Sequence, residues 1–122
     1  MAYTEPQFLV PGTAVLLNPT QITTTGAKTA TTFAVPKWSG QFWGQITLQA
    51  IPDTLTALVV TLEADLTGAT SESDDNFDNM FAGLDMYNNP ILPLNLNGGN
   101  ARYRFNVTTL TGDGVDFWAL VG

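Results

Sequence analysis

The residues whose types and spacing suggest chemistry are acids and amides. Asp74, Asn76 and Asp78, followed by Asn79 and then Asp85, put side-chain oxygens at positions 1, 3, 5 and 12 of a calcium-loop pattern. Position 6 of such a loop takes a glycine and position 12 a bidentate glutamate, whereas here they are Asn79 and Asp85. The expectation is at most a structural Ca2+ on Asp74, Asn76, Asp78 and Asp85, with a solvated acidic loop as the competing reading. No other cofactor is expected. The acidic pairs Glu63/Asp65 and Glu72/Asp74 have the residue type for glycoside hydrolysis, which needs two carboxyl groups facing each other across a cleft. Residues two apart on a strand point the same way, so this spacing does not build that geometry. The chain has no histidine and no cysteine, which removes histidine-activated nucleophiles, the usual general base and thiolate metal ligands. The sequence reads as non-enzymatic.

Net charge is −7, with Lys28, Lys37, Arg102 and Arg104 as the only cations. Phosphate neutralisation needs clustered Lys and Arg, so neither nucleic acid nor an anionic membrane surface is an expected partner. The start, Met1 to Pro6, has no basic or apolar leader pattern, and synthesis as a soluble cytoplasmic product is expected.

The elements that must position these residues are strands. Apolar and polar residues alternate with period two in segments punctuated by Gly, Pro and Asn, and no helical stripe persists. Phe42, Ile46, Leu48 and Ala50 share one face, with Trp43 on the other. After a turn at Pro52-Asp53, Leu58, Val60, Leu62, Ala64 and Leu66 line a second core face. Tyr103, Phe105 and Val107 do so in a third strand, and Val115, Phe117, Ala119 and Val121 in a fourth. Asn97 to Asn100 and Thr111 to Gly114 read as tight turns, making the last third a β-meander. Weaker strands are expected at 13–17, 21–25 and 30–35, and a long acidic loop over 71–83 with a helical turn at 76–81. The predicted fold is all-β: an irregular arm over 1–12, then one mostly antiparallel β-sandwich or jelly-roll-like domain over 13–122.

On that frame Glu63 and Asp65 should face Arg102 and Arg104, which have the same two-residue spacing, as cross-strand pairs contributing about 0.2–1 kcal/mol each. Trp118 and Leu120 lie opposite the core face of the last strand, and Trp43 opposite that of its own. This leaves a second apolar face for another layer or a partner chain. The interface residues expected are Tyr3, Phe8, Trp38, Trp43, Trp118 and Leu120.

The run Val59 to Gly68, a variable insert, and then Arg102-Tyr103-Arg104-Phe105-Asn106-Val107-Thr108-Thr109-Leu110-Thr111-Gly112 resembles a pattern of small β-sandwich proteins and domains of tailed-phage virions. That pattern is a strand ending in Leu-x-Gly, an Arg-x-x-Asn-Val strand, a Thr-Gly turn and a final strand. The resemblance implies a virion structural role without catalytic residues, on head or tail. The expected function is a capsid decoration or accessory protein, self-associating (a trimer among the options) and bound to capsid protein, with the virion as its location. The alternative is a carbohydrate-binding module of a tail or fibre, with Trp38, Trp43 and Tyr87 as a stacking platform.

Overall fold

The computed structural model describes residues 7–35, 43–67, 76–97 and 101–121. Within them the chain is all-β, without a helix. Seven strands form one mixed, unclosed sheet: β1 (Gln7–Phe8), β2 (Ala14–Leu16), β3 (Gly26–Ala34), β4 (Trp43–Asp65), β5 (Asp78–Asp85), β6 (Ile91–Asn97) and β7 (Arg102–Val121).

Two of these strands are far longer than a usual strand, and they pair with each other from Ile46↔Val121 to Asp65↔Arg102. The pair does not run straight. Phe105 and Phe117 are twelve residues apart on β7, about 40 Å if the strand were flat, yet their rings stack with centroids 4.2 Å apart. The β4/β7 ribbon therefore folds across its middle and brings its two halves face to face. The fold lies at Thr54, whose φ is 47°, and at Gly112, whose φ is 133° and which sits opposite Leu55. The register slips by one residue between Leu55 and Ala57 and returns between Val59 and Val60, so even-numbered residues of β4 face inward on both sides of the bend.

Each half collects its own neighbours. In layer A, β2 pairs with the end of β7, and β6 with the start of β4, giving the order β2, β7, β4, β6. In layer B, β3 pairs with the start of β7 and β5 with the end of β4, giving β3, β7, β4, β5, with β1 added in parallel beside β3. Counting each long strand as two and leaving β1 aside, eight antiparallel segments divide into two four-stranded layers, the chain changing layer at every step except from the second half of β4 to β5. This is the jelly-roll form of the sandwich.

The alternation explains the core. Ile46, Leu48, Ala50, Phe117, Ala119 and Val121 face inward from layer A, and Leu58, Val60, Leu62, Tyr103, Phe105 and Val107 from layer B; all are buried. Where β2 ends, Asn18 continues the pairing with its side chain: Oδ1 accepts from Phe117 N at 2.7 Å and Nδ2 donates to Asp116 Oδ1 at 2.8 Å. The interruption of β3 between Lys28 and Phe33 is filled by Thr31, whose hydroxyl accepts from Phe105 N at 3.0 Å and donates to Lys28 O at 2.6 Å.

Several expectations are corrected. Pro52-Asp53 and Thr111 to Gly114 are not hairpin turns but bends within continuous strands, so the last third is not a meander. The expected strand over 21–25 is a single bridge, Ile22↔Val115. The acidic loop ends sooner than residue 83, because β5 begins at Asp78 and replaces the expected helical turn. Of the expected arm over 1–12, residues 1–6 lie outside the described residues, and from Gln7 on the chain belongs to the body, with β1 paired to β3, Leu9 buried and Gly12 N donating to Val121 O at 2.7 Å. β6 was not foreseen, although Leu92, Leu94 and Leu96 alternate cleanly with Ile91, Pro93 and Asn95.

Candidate functional site

The four charged residues expected to pair do meet, on the outer face of layer B. Register sets Glu63 opposite Arg104 and Asp65 opposite Arg102. Arg104 Nε donates to Glu63 Oε1 at 2.7 Å, Asn106 Nδ2 donates to Glu63 Oε2 at 3.3 Å, and Arg102 Nη2 donates to Asp65 Oδ2. Their surroundings depart from the expectation of exposed pairs. The Phe77 ring lies over both guanidinium groups, 4.1 Å from Arg104 and 5.1 Å from Arg102. The Asp65 and Arg102 side chains are 0% and 4% exposed, against 10% and 18% for Glu63 and Arg104. Sequence spacing revealed the pairing but not the aromatic cover, because Phe77 sits where the alternation is lost.

Asp65 accepts from Thr67 N at 2.8 Å, Thr67 Oγ1 at 2.6 Å and Asn76 N at 2.9 Å, besides Arg102. Burial pushes its carboxyl up, but the Asn76 amide, the Thr67 hydroxyl and amide, and Arg102 together outweigh it and hold the pKa at about 2, below the ordinary 3.8. A depressed carboxyl stabilises the fold above its unfolded pKa and loses that contribution as pH falls through the folded one. Urea unfolding should therefore show roughly 2 kcal/mol from this group disappearing in the acid window below the ordinary carboxylate pKa. The Asp65→Asn variant should lack that part of the slope; an identical acid slope in both proteins would refute the assignment.

Glu63 and Asp65 are each engaged by a guanidinium on one strand face, instead of opposing one another across a cleft. β5 does not bring the described members of the expected calcium loop together. Asp78 and Asp85 are its two ends, and seven residues of strand separate them by about 23 Å, too far to share one ion. Asp85 instead caps the β5–β6 turn, accepting from Asn88 Nδ2 at 2.7 Å and from Asn88 N and Tyr87 N at 3.1 Å each. The Asn88 side chain and amide hold its pKa below the usual carboxylate value. Asn76 donates its backbone N–H to Asp65 Oδ2, Asp78 Oδ1 accepts from Asn79 N at 2.8 Å, and Asp74 lies outside the described residues. Among the described residues no group of three or more acids gathers in a metal-holding arrangement.

Of the expected interface residues, Tyr3 and Trp38 lie outside the described residues. Phe8 is exposed on the edge strand β1, and Trp43 opens β4 opposite Asn97. Trp43 and Tyr87 fall at opposite ends of layer A, since Tyr87 precedes Ile91 and Ile91 pairs six rungs from Trp43, about 20 Å away. They do not form one stacking platform.

Trp118 and Leu120 do join other apolar side chains, across the outer face of layer A. One row reads Leu16, Trp118, Gln49, Ile91 and the next Ala14, Leu120, Thr47, Pro93, with Ile51 beside them opposite Asp116. Leu16, Leu120, Ile51 and Ile91 are 37%, 41%, 46% and 57% exposed, and Trp118 is half-buried. No residue in these two rows is ionisable. Leu16, Ile51 and Ile91 were missed because they acquire a common face only through strand order.

The edges of both layers are blunted. β1 and β2 span two and three residues. β5 carries two register shifts and Gly83 at φ 69°. On β6, Ala50 N donates to Pro90 O at 2.8 Å, so by alternation Thr47↔Pro93 is a non-hydrogen-bonded pair and the proline nitrogen faces the open edge. These are the usual defences against edge-to-edge pairing.

Fold and surface together define a jelly roll with a buried ionic cluster on one outer face and an uncharged apolar field on the other. Comparison with protein-family models, curated proteins and solved structures found no match.

Proposed function

We propose that the protein is a non-enzymatic structural component of a tailed-phage virion, an accessory protein of the decoration type that self-associates and binds the capsid surface. The observation that supports this reading is the uncharged field around Trp118 and Leu120 on a body whose strand edges are blunted. On a chain of net charge −7, a surface kept free of ionised groups is suited to close contact with another protein. The jelly roll is a fold used in viral capsids, and also in lectins, so the reading draws on the surface more than on the fold.

The mechanism is mass action. Each contact is weak, but an oligomer that spans several capsid subunits gains effective concentration with every further contact and adds its binding energy to the assembled shell. Mass spectrometry of purified virions of the phage that encodes the chain should find it in fixed ratio to the major capsid protein, and the recombinant protein should co-sediment with heads that lack it. Its absence from virions would overturn the reading. A glycan array should be blank; specific sugar binding would favour the tail or fibre adhesion module instead.

A further inference from the structure

We propose that the outer face of layer A packs against the same face of a second copy of this chain, about a twofold axis running across the strands. This rests on the structural role proposed above and names the partner of its central surface.

Three observations select a second copy. The first is charge. Two bodies of net charge −7 repel, and the field formed by Ala14, Leu16, Thr47, Gln49, Trp118 and Leu120 lets them approach without desolvating a carboxylate. A cationic partner would find no counter-charge within it. The second is relief. Leu120 stands between the smaller Ala14 and Thr47, beside the row in which Trp118 stands between Leu16 and Gln49, so an identical face supplies both a knob and shallower places to receive it, as an isologous contact requires. The third is the distribution of acids. Asp116 and Asp53 lie at the bend end of the face, Asp116 opposite Ile51 and Asp53 opposite Gly114. An axis across the strands makes facing strands antiparallel and sends the two acidic ends apart; an axis along the strands would bring them together.

The size of the face sets the strength. Four strands at about 4.8 Å spacing and five rungs at about 3.3 Å give a footprint of roughly 300–400 Å², about half of the ~800 Å² per partner found in stable interfaces. The pair is therefore weak and concentration-dependent, with a Kd on the order of hundreds of micromolar at low salt. Because like net charges oppose it, salt tightens it, by roughly tenfold between about 0.05 and 1 M NaCl.

Sedimentation velocity of the full chain across a concentration series at both salt levels tests this. The expected result is a reversible monomer–dimer equilibrium strengthened by salt and abolished by Leu120→Glu. Ala30→Glu, which adds the same charge at an exposed position of β3 in layer B, should leave the dimer in place. A monomer at every concentration in high salt, or a dimer indifferent to Leu120→Glu, would overturn the proposal. The outcome separates from that of the structural role. A chain found on virions yet monomeric in solution removes the self-pairing and the oligomer that the mass-action mechanism invokes but leaves the place on the capsid, whereas a Leu120-dependent dimer absent from virions supports the pairing and removes the role.

Discussion

Replacing Asp65 with asparagine is expected to cost about 3 kcal/mol of folding stability, which in a chain of this size lowers the melting temperature by roughly 10 °C. The magnitude follows from burial. Arg102 is 4% exposed beneath Phe77, and its guanidinium cannot shed its charge, so removing the carboxylate takes a full counter-charge away from a cation held in a desolvated site. The amide introduced by Asp65→Asn would retain an oxygen for the Thr67 hydroxyl and backbone N–H but turn a donor toward both Arg102 and the Asn76 N–H, so the loss reports the ion pair together with the Asn76 contact. Glu63→Gln is the internal comparison. Its partner Arg104 keeps some contact with water, and the expected cost is about 1 kcal/mol. Adding Arg102→Met to Asp65→Asn removes the charge that Asp65 balanced and should recover part of the loss. If the double variant is less stable than Asp65→Asn by the full cost of a second lesion, the two side chains are not coupled and the explanation fails. Differential scanning calorimetry with urea titration at neutral pH decides it.

This cluster also shows how far side-chain order along the chain can be read. Glu63/Asp65 and Arg102/Arg104 announce their pairing because residues two apart share a strand face, and antiparallel register sets one doublet against the other. The inward faces at Ile46–Ala50, Leu58–Leu62, Tyr103–Val107 and Val115–Val121 follow from the same alternation. What alternation cannot report is what lies above a face. The cover from Phe77 changes the Asp65 pair from a minor surface contact into a buried one, and that cover depends on the path of the chain after Asp65. The charge-free field is illegible for a related reason. Leu16, Ile51 and Ile91 lie on three strands far apart in sequence, and only the layer order β2, β7, β4, β6 brings them beside Trp118 and Leu120. The misread turns have a more local origin. Glycine, proline and aspartate signal that the backbone departs from a flat strand, and a hairpin and a bend meet that need with the same residues. Which of the two occurs depends on whether the partner strand bends at the same level. Here it does, Thr54 and Gly112 being almost opposite each other.

That coincidence yields the second large effect: Gly112→Ala should cost about 4 kcal/mol, enough to lower the melting temperature by roughly 15 °C or prevent folding at physiological temperature. Two terms combine. At φ 133° the backbone is in a region that L side chains rarely adopt. A Cβ there would also collide with the carbonyl oxygen of Thr54 and stand 2.7 Å from the Leu55 Cα, both backbone atoms that cannot swing aside. Gly83→Ala isolates the first term. Its φ is 69°, but no atom lies within 4 Å of the Cβ position, so only conformational strain of about 1 kcal/mol is expected. The difference between the two variants measures how closely β4 and β7 approach where the ribbon folds. Because that fold puts Phe105 onto Phe117 and presses the two layers together, loosening it should also weaken near-ultraviolet dichroism from the buried aromatic stack. If Gly112→Ala melts within a degree or two of Gly83→Ala, the strands are not in contact at the bend, and the layers must be held together by something other than a folded ribbon.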